Sequence, residues 1–550
     1  MQDAIDTTGA PPRRKVLAVG LDAPNHDLLE RWIAEGRLPN LRALRERSEV
    51  SRVASLKLFS NEHSWIPVLT GQNRDRWDHW LDNWDGRTYR YDEASIFDWL
   101  RAPLFYAQGD RCRVIAFNLV APIVDGVGGV QVSGWASELN ECFPESSPPG
   151  LFGELLARHG PDPKLGNAHA ITNQLSNREG VSHTIPNLYR PEVLKDYADA
   201  LVRSVERSTD AFLELLEGQG WDLAITLYPE THTGGHSLWH LSQPHPLDAV
   251  RREGEDPLLR IYQAVDAALA RLLRAVGDGV SVVFYTIDEM VPDSLENARA
   301  VLLPEFVYRW NFPGKAALAE GDYGSPPPAP RLDYTDHWKH ETWRLHTPLG
   351  GTALESPAGQ EARGDAMSWC PANWYKRLWP SMRAFAMPSV ADGYIRVNVR
   401  GREARGVVDE AEFGAVCDEL TAAVRTLVNA RTGRPMVREV IRVRESAFDD
   451  DSKKPPADLI VVFHEDGPVD TVDSPLVGRI GPVPYFRSGA HQAHDQPMEN
   501  LLYVSGPGIR PGRPTGTAQL EDIPATILAL LGLDLPAHFD GVPRLATAEP

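Results

Sequence analysis

Lys15-Val-Leu-Ala-Val-Gly-Leu-Asp22 is an apolar run closed by a single acid. A short continuous run of this kind reads as a buried strand. A carboxylate at its end stands on the C-terminal edge of a sheet, where open α/β folds gather their ligands. The pattern recurs downstream. Asp222-Leu-Ala-Ile-Thr-Leu-Tyr228 is a second buried strand, and Glu230-Thr-His-Thr-Gly-Gly-His236 hangs from its end. His232 and His236 are four residues apart, and Gly489-Ala-His491 supplies a third imidazole far along the chain. Three imidazoles suit a zinc-like ion, so these scattered residues are expected to form one metal site.

Helical patterns separate the strands. Residues 26–35 carry Leu28, Leu29, Trp32 and Ile33 at helical spacing. Leu258, Ile261, Val265, Leu269, Leu272 and Val276 mark an amphipathic helix that leads into the strand Val280-Ser-Val-Val-Phe-Tyr285. Leu501-Leu-Tyr-Val504 and Ile523–Leu531 make a further strand–helix pair. This alternation predicts an α/β protein built on a doubly wound sheet with helices on both faces.

At 550 residues the chain exceeds one simple core. Gly324-Ser-Pro-Pro-Pro-Ala-Pro330 is loop punctuation, and no clean period follows until about Phe385. From Gly393 the pattern sharpens into a strand (Tyr394–Val399), a helix (Glu410–Val428) and a strand (Met436–Val443), with Asp458–Phe463 as a further strand after Lys453-Lys-Pro-Pro456. The expected division is a disordered tail over 1–14, the first part of the α/β core over 15–330, an inserted cap or α+β lobe over 331–455, and the completing part of the core over 456–550. No repeat of solenoid period is present.

Composition narrows the partners. Hydrophobic content of 42% and charged content of 24% are those of a soluble globular protein. A formal charge of −20 argues against a nucleic-acid polymer or an anionic membrane as the main partner. Small anionic substrates stay open where a metal supplies local positive charge. The four cysteines show no CxxC spacing and read as free thiols in a reducing cytosol. Met1 to Lys15 is polar with no apolar region behind it, and no window approaches eighteen apolar residues, so a cytoplasmic location is expected.

Several motifs resemble the type I phosphodiesterase/nucleotide pyrophosphatase family of the alkaline phosphatase superfamily. Val19-Gly-Leu-Asp22 with Gly36-Arg-Leu-Pro-Asn-Leu41 resembles its first strand and metal-binding aspartate. Ser64-Trp-Ile-Pro-Val-Leu-Thr-Gly71 is similar to the segment after the nucleophile, and Gly489-Ala-His491 with Ser505-Gly-Pro-Gly-Ile509 to the late metal histidine and its strand. Glu521-Asp-Ile-Pro-Ala-Thr-Ile-Leu528 resembles the closing helix. The resemblance implies two metal ions, commonly zinc, that activate a Ser or Thr nucleophile and clamp a phosphate or related ester.

The departures from that pattern carry as much information. The nucleophile position falls on Asn61, whose amide has no ionisable hydroxyl but whose carbonyl oxygen can hold a metal. Ser60 and Ser64 flank it. His232 stands where the family has Asp, His236 where it has His, and Ile287-Asp288-Glu289-Met290 replaces Asp-His-Gly-Met. What remains is a His232, His236, His491 set beside an oxygen set of Asp22, Asp288 and Asn61. Imidazoles suit zinc, iron or copper, and carboxylates suit magnesium, calcium or manganese. The expected cofactor is therefore one or two divalent ions, zinc foremost, with manganese and iron as alternatives.

Glu62 and Glu230 are candidate general bases or partners of the histidines. His240 and His494 read as surrounding or surface groups, Glu289 as solvated, and the Trp-rich stretch Trp338–Trp379 as core packing. The expected function is a hydrolase of a small phosphodiester, phosphomonoester or related ester, using metal-activated water in place of the missing hydroxyl. Lyase or oxidative chemistry at a retuned His-rich site, and a non-catalytic relative, are the alternatives.

Overall fold

The computed structural model describes residues 14–54, 64–73, 76–77, 79–80, 82–93, 102–136, 144–163, 171–175, 182–251, 254–346, 354–363, 365–389, 392–491, 499–512 and 516–545. Most of the expected tail lies outside them, as do Ser60, Asn61, Glu62 and His494.

The first strand, β1 (Val16–Asp22), is buried along its whole length. Helix α1 (His26–Ala34) follows, capped by the Asn25 side chain, which accepts the Leu28 N–H. Next come β2 (Glu49–Ala54), helix α2 (Trp65–Thr70), β3 (Gly109–Leu119), β4 (Val127–Ser133) and β5 (Glu145–Ser147). The long helix α3 (Pro191–Gly218) leads to β6 (Leu223–Tyr228), helix α4 (Glu230–Ser242), helix α5 (Pro257–Val276), β7 (Ser281–Ile287) and the short β8 (Met290–Pro292). The second lobe contributes β9 (Ala384–Met387), β10 (Gly393–Val397), β11 (Val437–Arg442) and β12 (Leu459–Phe463). The chain closes through β13 (Gly489–His491), β14 (Glu499–Ser505), β15 (Ala518–Gln519) and helix α6 (Asp522–Leu531).

The main sheet runs β15-β2-β14-β7-β1-β6-β3-β4-β5. Strands β7, β1, β6, β3 and β4 are mutually parallel, while β14 and β5 enter antiparallel. Alternate residues of β1 serve two separate cores, as the two-residue strand period requires. Leu17, Val19 and Leu21 pack with Leu28, Trp32, Phe212 and Leu269 of α1, α3 and α5. Val16 and Ala18 pack with Trp65, Val68, Ile523 and Leu528 of α2 and α6. Helices therefore cover both faces, and the fold is the doubly wound α/β architecture expected from the strand–helix alternation.

The second lobe has its own core, whose buried residues run from Leu295 to Phe486 and take in Tyr89 and Tyr91. Trp338, Trp369, Trp374 and Trp379 are buried there, in keeping with packing rather than a solvent-facing lining. Its sheet has the order β9-β10-β12-β11, antiparallel throughout. The expected boundary at 455 therefore cuts through one sheet, because β12 lies between β10 and β11 rather than in the main sheet. A five-residue apolar run reads the same in either setting, so its sequence alone does not assign it. Cys112, Cys370 and Cys417 are buried, and no helix among the described residues is long and apolar enough to cross a membrane.

Asp458 anchors this lobe. Fully buried, it accepts from Arg402 at 2.9 and 2.7 Å through its two oxygens and from the Val397 N–H at 2.7 Å. Breaking a buried ion pair costs about 3–5 kcal/mol, and Glu403, 3.1 Å from Arg402, keeps the loss at the lower end of that range. Asp458→Ala is expected to lower unfolding free energy by about that much in denaturant titration. A loss below about 1 kcal/mol would place Arg402 in contact with solvent instead.

Candidate metal centre

The ends of β1, β6 and β7 lie side by side, with Leu21 opposite Tyr228 and Asp22 opposite Ile287. Each strand delivers a polar group at that edge. Strand β1 ends on Asp22, β6 turns through Pro229 directly into α4, and β7 leads to Asp288, which adopts a left-handed φ of 59°. The Thr231 hydroxyl donates to the Asp22 carbonyl at 2.5 Å and ties the start of α4 to β1.

On α4, His232 and His236 lie one turn apart on one face. His491 arrives on β13, which pairs antiparallel with β8 so that Met290 faces His491. This ribbon lies hard against α4. A Cβ on Gly489 would come within 2.3 Å of the Gly235 carbonyl oxygen, and one on Gly235 within 2.5 Å of Met290 Cγ. Gly235 of the His232–His236 motif thus lets the ribbon approach, whereas a Cβ on Gly234 would meet Ile261 of α5 at 2.6 Å.

The three Nε2 atoms converge: His232 to His236 at 2.9 Å and His232 to His491 at 3.1 Å. Their tautomers follow from their other contacts. His236 Nδ1 lies 2.7 Å from the Gly489 carbonyl, and His232 Nδ1 lies 2.9 Å from Asp22 Oδ2. Both partners are acceptors, so each Nδ1 carries the proton and each neutral ring turns a lone pair inward at Nε2. Facing lone pairs at this spacing repel unless a cation lies among them. A tetrahedral ion with Zn–N bonds of about 2.0–2.1 Å would hold its nitrogens about 3.3 Å apart, close to the spacing found. Burial, then the charge of Arg487 and that of His232 when protonated, holds His236 well below the usual histidine range. Burial and the same two neighbours do so for His491. His232, His236 and His491 could thus hold a metal ion.

The remaining candidates fall into place around this group. Asp22 is buried and bonds His232 on the far side of the ring from Nε2, which is the position of a ligand-orienting carboxylate. Asp288 is buried and accepts from the Ser64 hydroxyl at 2.7 Å. Its pKa is raised to about 7 by burial, with the Asp22 charge adding to the rise.

Glu230 is fully buried and accepts from Ser204 of α3 at 2.7 Å. It stands two residues before His232, and so about 200° around the helix, away from the histidine face. Glu289 is partly buried rather than solvated, and accepts from the His26 N–H at 3.1 Å. Arg487 escaped the sequence reading, yet its Nη1 lies 3.4 Å from His236 Nε2. Only its place four residues before His491 hinted at this.

His240 continues the histidine row one turn on, with His245 beside it at a ring separation of 5.8 Å. Burial, then the His245 charge, pushes His240 down to about 3, and burial alone pushes His245 to about 4. In the unfolded chain both revert to about 6.5 and bind protons more readily. Their contribution is intact above that pH and is lost as pH falls through the window toward about 4. The thermal midpoint of chelated protein is therefore expected to drop as pH falls from 6.5 to about 4, and His245→Asn to flatten that drop. A midpoint independent of pH over that range would contradict the assignment.

Fold and site together define an α/β protein with a three-histidine candidate metal site at a parallel-sheet edge. No protein-family model and no curated protein matches the chain. Among solved structures it is similar to murine ectonucleotide pyrophosphatase/phosphodiesterase 5 at 12% identity and a TM-score of 0.44, covering 95% of this chain and 96% of that one. Phosphonoacetate hydrolase from Sinorhizobium meliloti, solved with phosphonoacetate, matches at 13% identity and a TM-score of 0.46, over 95% of this chain and 96% of that one. Wild-type alkaline phosphatase PafA matches at 13% identity and a TM-score of 0.47, over 97% of this chain and 99% of that one.

Proposed function

We propose that the protein is a metal-dependent hydrolase of a small phosphoester or related ester. The observation that carries this reading is the convergence of three Nε2 atoms, two with the tautomer set by an acceptor at Nδ1. A divalent ion held there supplies Lewis acidity toward an ester oxygen and lowers the pKa of water toward about 7. Asp22 and the Gly489 carbonyl keep His232 and His236 in the ligating tautomer.

Asp288 is the group best matched to accept a proton from an attacking water, since its pKa of about 7 lies near the working range. Ser64 holds that carboxyl in place through its hydrogen bond. Glu230, engaged with Ser204, has the role of anchoring α4 to α3. The motif order of the sequence supports a place in the alkaline phosphatase superfamily, with Asn61 standing at the nucleophile position.

The test is metal content by ICP mass spectrometry on untagged protein, followed by turnover of p-nitrophenyl phosphate and bis-p-nitrophenyl phosphate. Stoichiometric zinc, manganese or iron and chelator-sensitive hydrolysis are expected. Failure to take up any metal on titration would overturn the proposal. Oxygen-dependent chemistry at bound iron, with no hydrolysis, would replace it with the oxidative reading.

A further inference from the structure

Arg487 is the one cationic side chain among the described residues hydrogen-bonded to a member of the histidine triad, and its setting is built rather than incidental. Its Nη1 lies 3.4 Å from His236 Nε2 and 3.5 Å from Glu296 Oε1. Glu296 is itself buried, and its other oxygen takes a tight 2.5 Å contact from Arg299 Nη2. Arg299, also buried, donates in turn to the Ser389 carbonyl of the second lobe. Asp293 completes the turn by accepting the N–H groups of Leu295 and Glu296 at 3.0 and 2.9 Å.

A fixed line of groups thus runs from the second lobe to the histidine cluster, with Arg487 at its tip. Glu296 gives its close contact to Arg299, so among the described residues Arg487 is held by two long contacts of its Nη1, one to Glu296 and one to His236 of the triad. Once the His236 lone pair is committed to a cation, Arg487 loses that acceptor and faces a like charge. An anion shared between the two cations restores the balance. The planar fork of a guanidinium suits phosphate oxygens.

We propose, resting on the hydrolase reading above, that Arg487 recognises the second negative charge of a phosphomonoester and so selects monoesters over diesters. A monoester carries about −1.5 to −2 near neutral pH. A diester carries a single charge, which the metal alone can balance. The substrate class is then a small organic phosphate with a free phosphoryl end.

The experiment uses the metal-loaded full-length chain and its Arg487→Gln and Arg487→Lys variants. Inorganic phosphate binding is read by titration calorimetry, and kcat/KM is read for p-nitrophenyl phosphate and bis-p-nitrophenyl phosphate. Metal content is measured alongside. Arg487→Gln is expected to lower phosphate affinity and monoester kcat/KM by about 10²-fold, the scale of a lost oxyanion donor, and diester kcat/KM by less than about 10-fold. Arg487→Lys should recover part of the loss, and it decides the matter if the glutamine variant does not fold.

Unchanged phosphate affinity, or an equal loss on both esters, would overturn the assignment. If the wild type turns over neither ester at full metal occupancy, the hydrolase reading falls while the phosphate titration still decides the role of Arg487.

Discussion

His236→Ala is expected to abolish metal uptake and chelator-sensitive turnover together while leaving the chain folded. His236 contributes one of three converging nitrogens, and its ring is locked between the Gly489 carbonyl and His232. Loss of an outer partner such as Asp22, tested by Asp22→Asn, should weaken metal binding by about 10–100-fold. Loss of the ligand itself must cost more than that.

The control is His240→Gln, on the same helix at the same spacing. His240 is buried next to His245, and its replacement should leave metal affinity within a few-fold of wild type. The two effects are separated by titrating zinc into chelated protein and following circular dichroism in parallel. Equal metal loss in both variants would mean that α4 as a whole had been disturbed. Wild-type affinity in His236→Ala would remove His236 from the site.

Much of this geometry was legible because strand ends leave a strong trace in sequence. Apolar runs at Val16–Leu21 and Leu223–Tyr228 end side by side in the parallel register, so Asp22 and the helix that follows Tyr228 meet at one edge. The recurrence of histidines at a helical interval marked two members of the group that could hold a metal ion. What escaped depends on angles and crossings that a linear reading does not carry. Glu230 looked like part of the cluster because the motif was read as hanging from the strand. The helix in fact begins at Glu230, so two residues of helical rotation send it toward Ser204.

Arg487 acquires its role only when β13 pairs with β8 and folds onto α4. The lobe boundary was misplaced for a related reason. An apolar strand carries no mark of which sheet it joins, and β12 joins the second. Asp22 shows the subtler case: its position at the strand end was legible, but its bond to His232 Nδ1 depends on which way the helix presents that ring.

The approach of the ribbon to α4 yields the second large expected effect. At Gly489 an added Cβ would lie 2.3 Å from the Gly235 carbonyl oxygen and 3.0 Å from its carbon. Both atoms are backbone within a helix, so neither can rotate away, and the ribbon must lift. Lifting it moves His491 and stretches the bond from His236 Nδ1 to the Gly489 carbonyl, so two of the three converging histidines are disturbed by one methyl group. At Gly235 the nearest contact would be Met290 Cγ at 2.5 Å, the flexible stem of a methionine that can change rotamer.

Gly489→Ala is therefore expected to cost about 1–3 kcal/mol of stability in the chelated protein, the scale of overpacking in a tight core. It should also weaken metal binding by at least about 10-fold, as loss of an orienting partner does. Gly235→Ala should do less on both counts. Denaturant unfolding of chelated protein and metal titration read the two quantities independently. If Gly235→Ala proves the more damaging, close packing of the ribbon is not what fixes His491. If Gly489→Ala loses stability but keeps its metal affinity, the triad tolerates a shift of β13, and the ligand geometry is set by α4 alone.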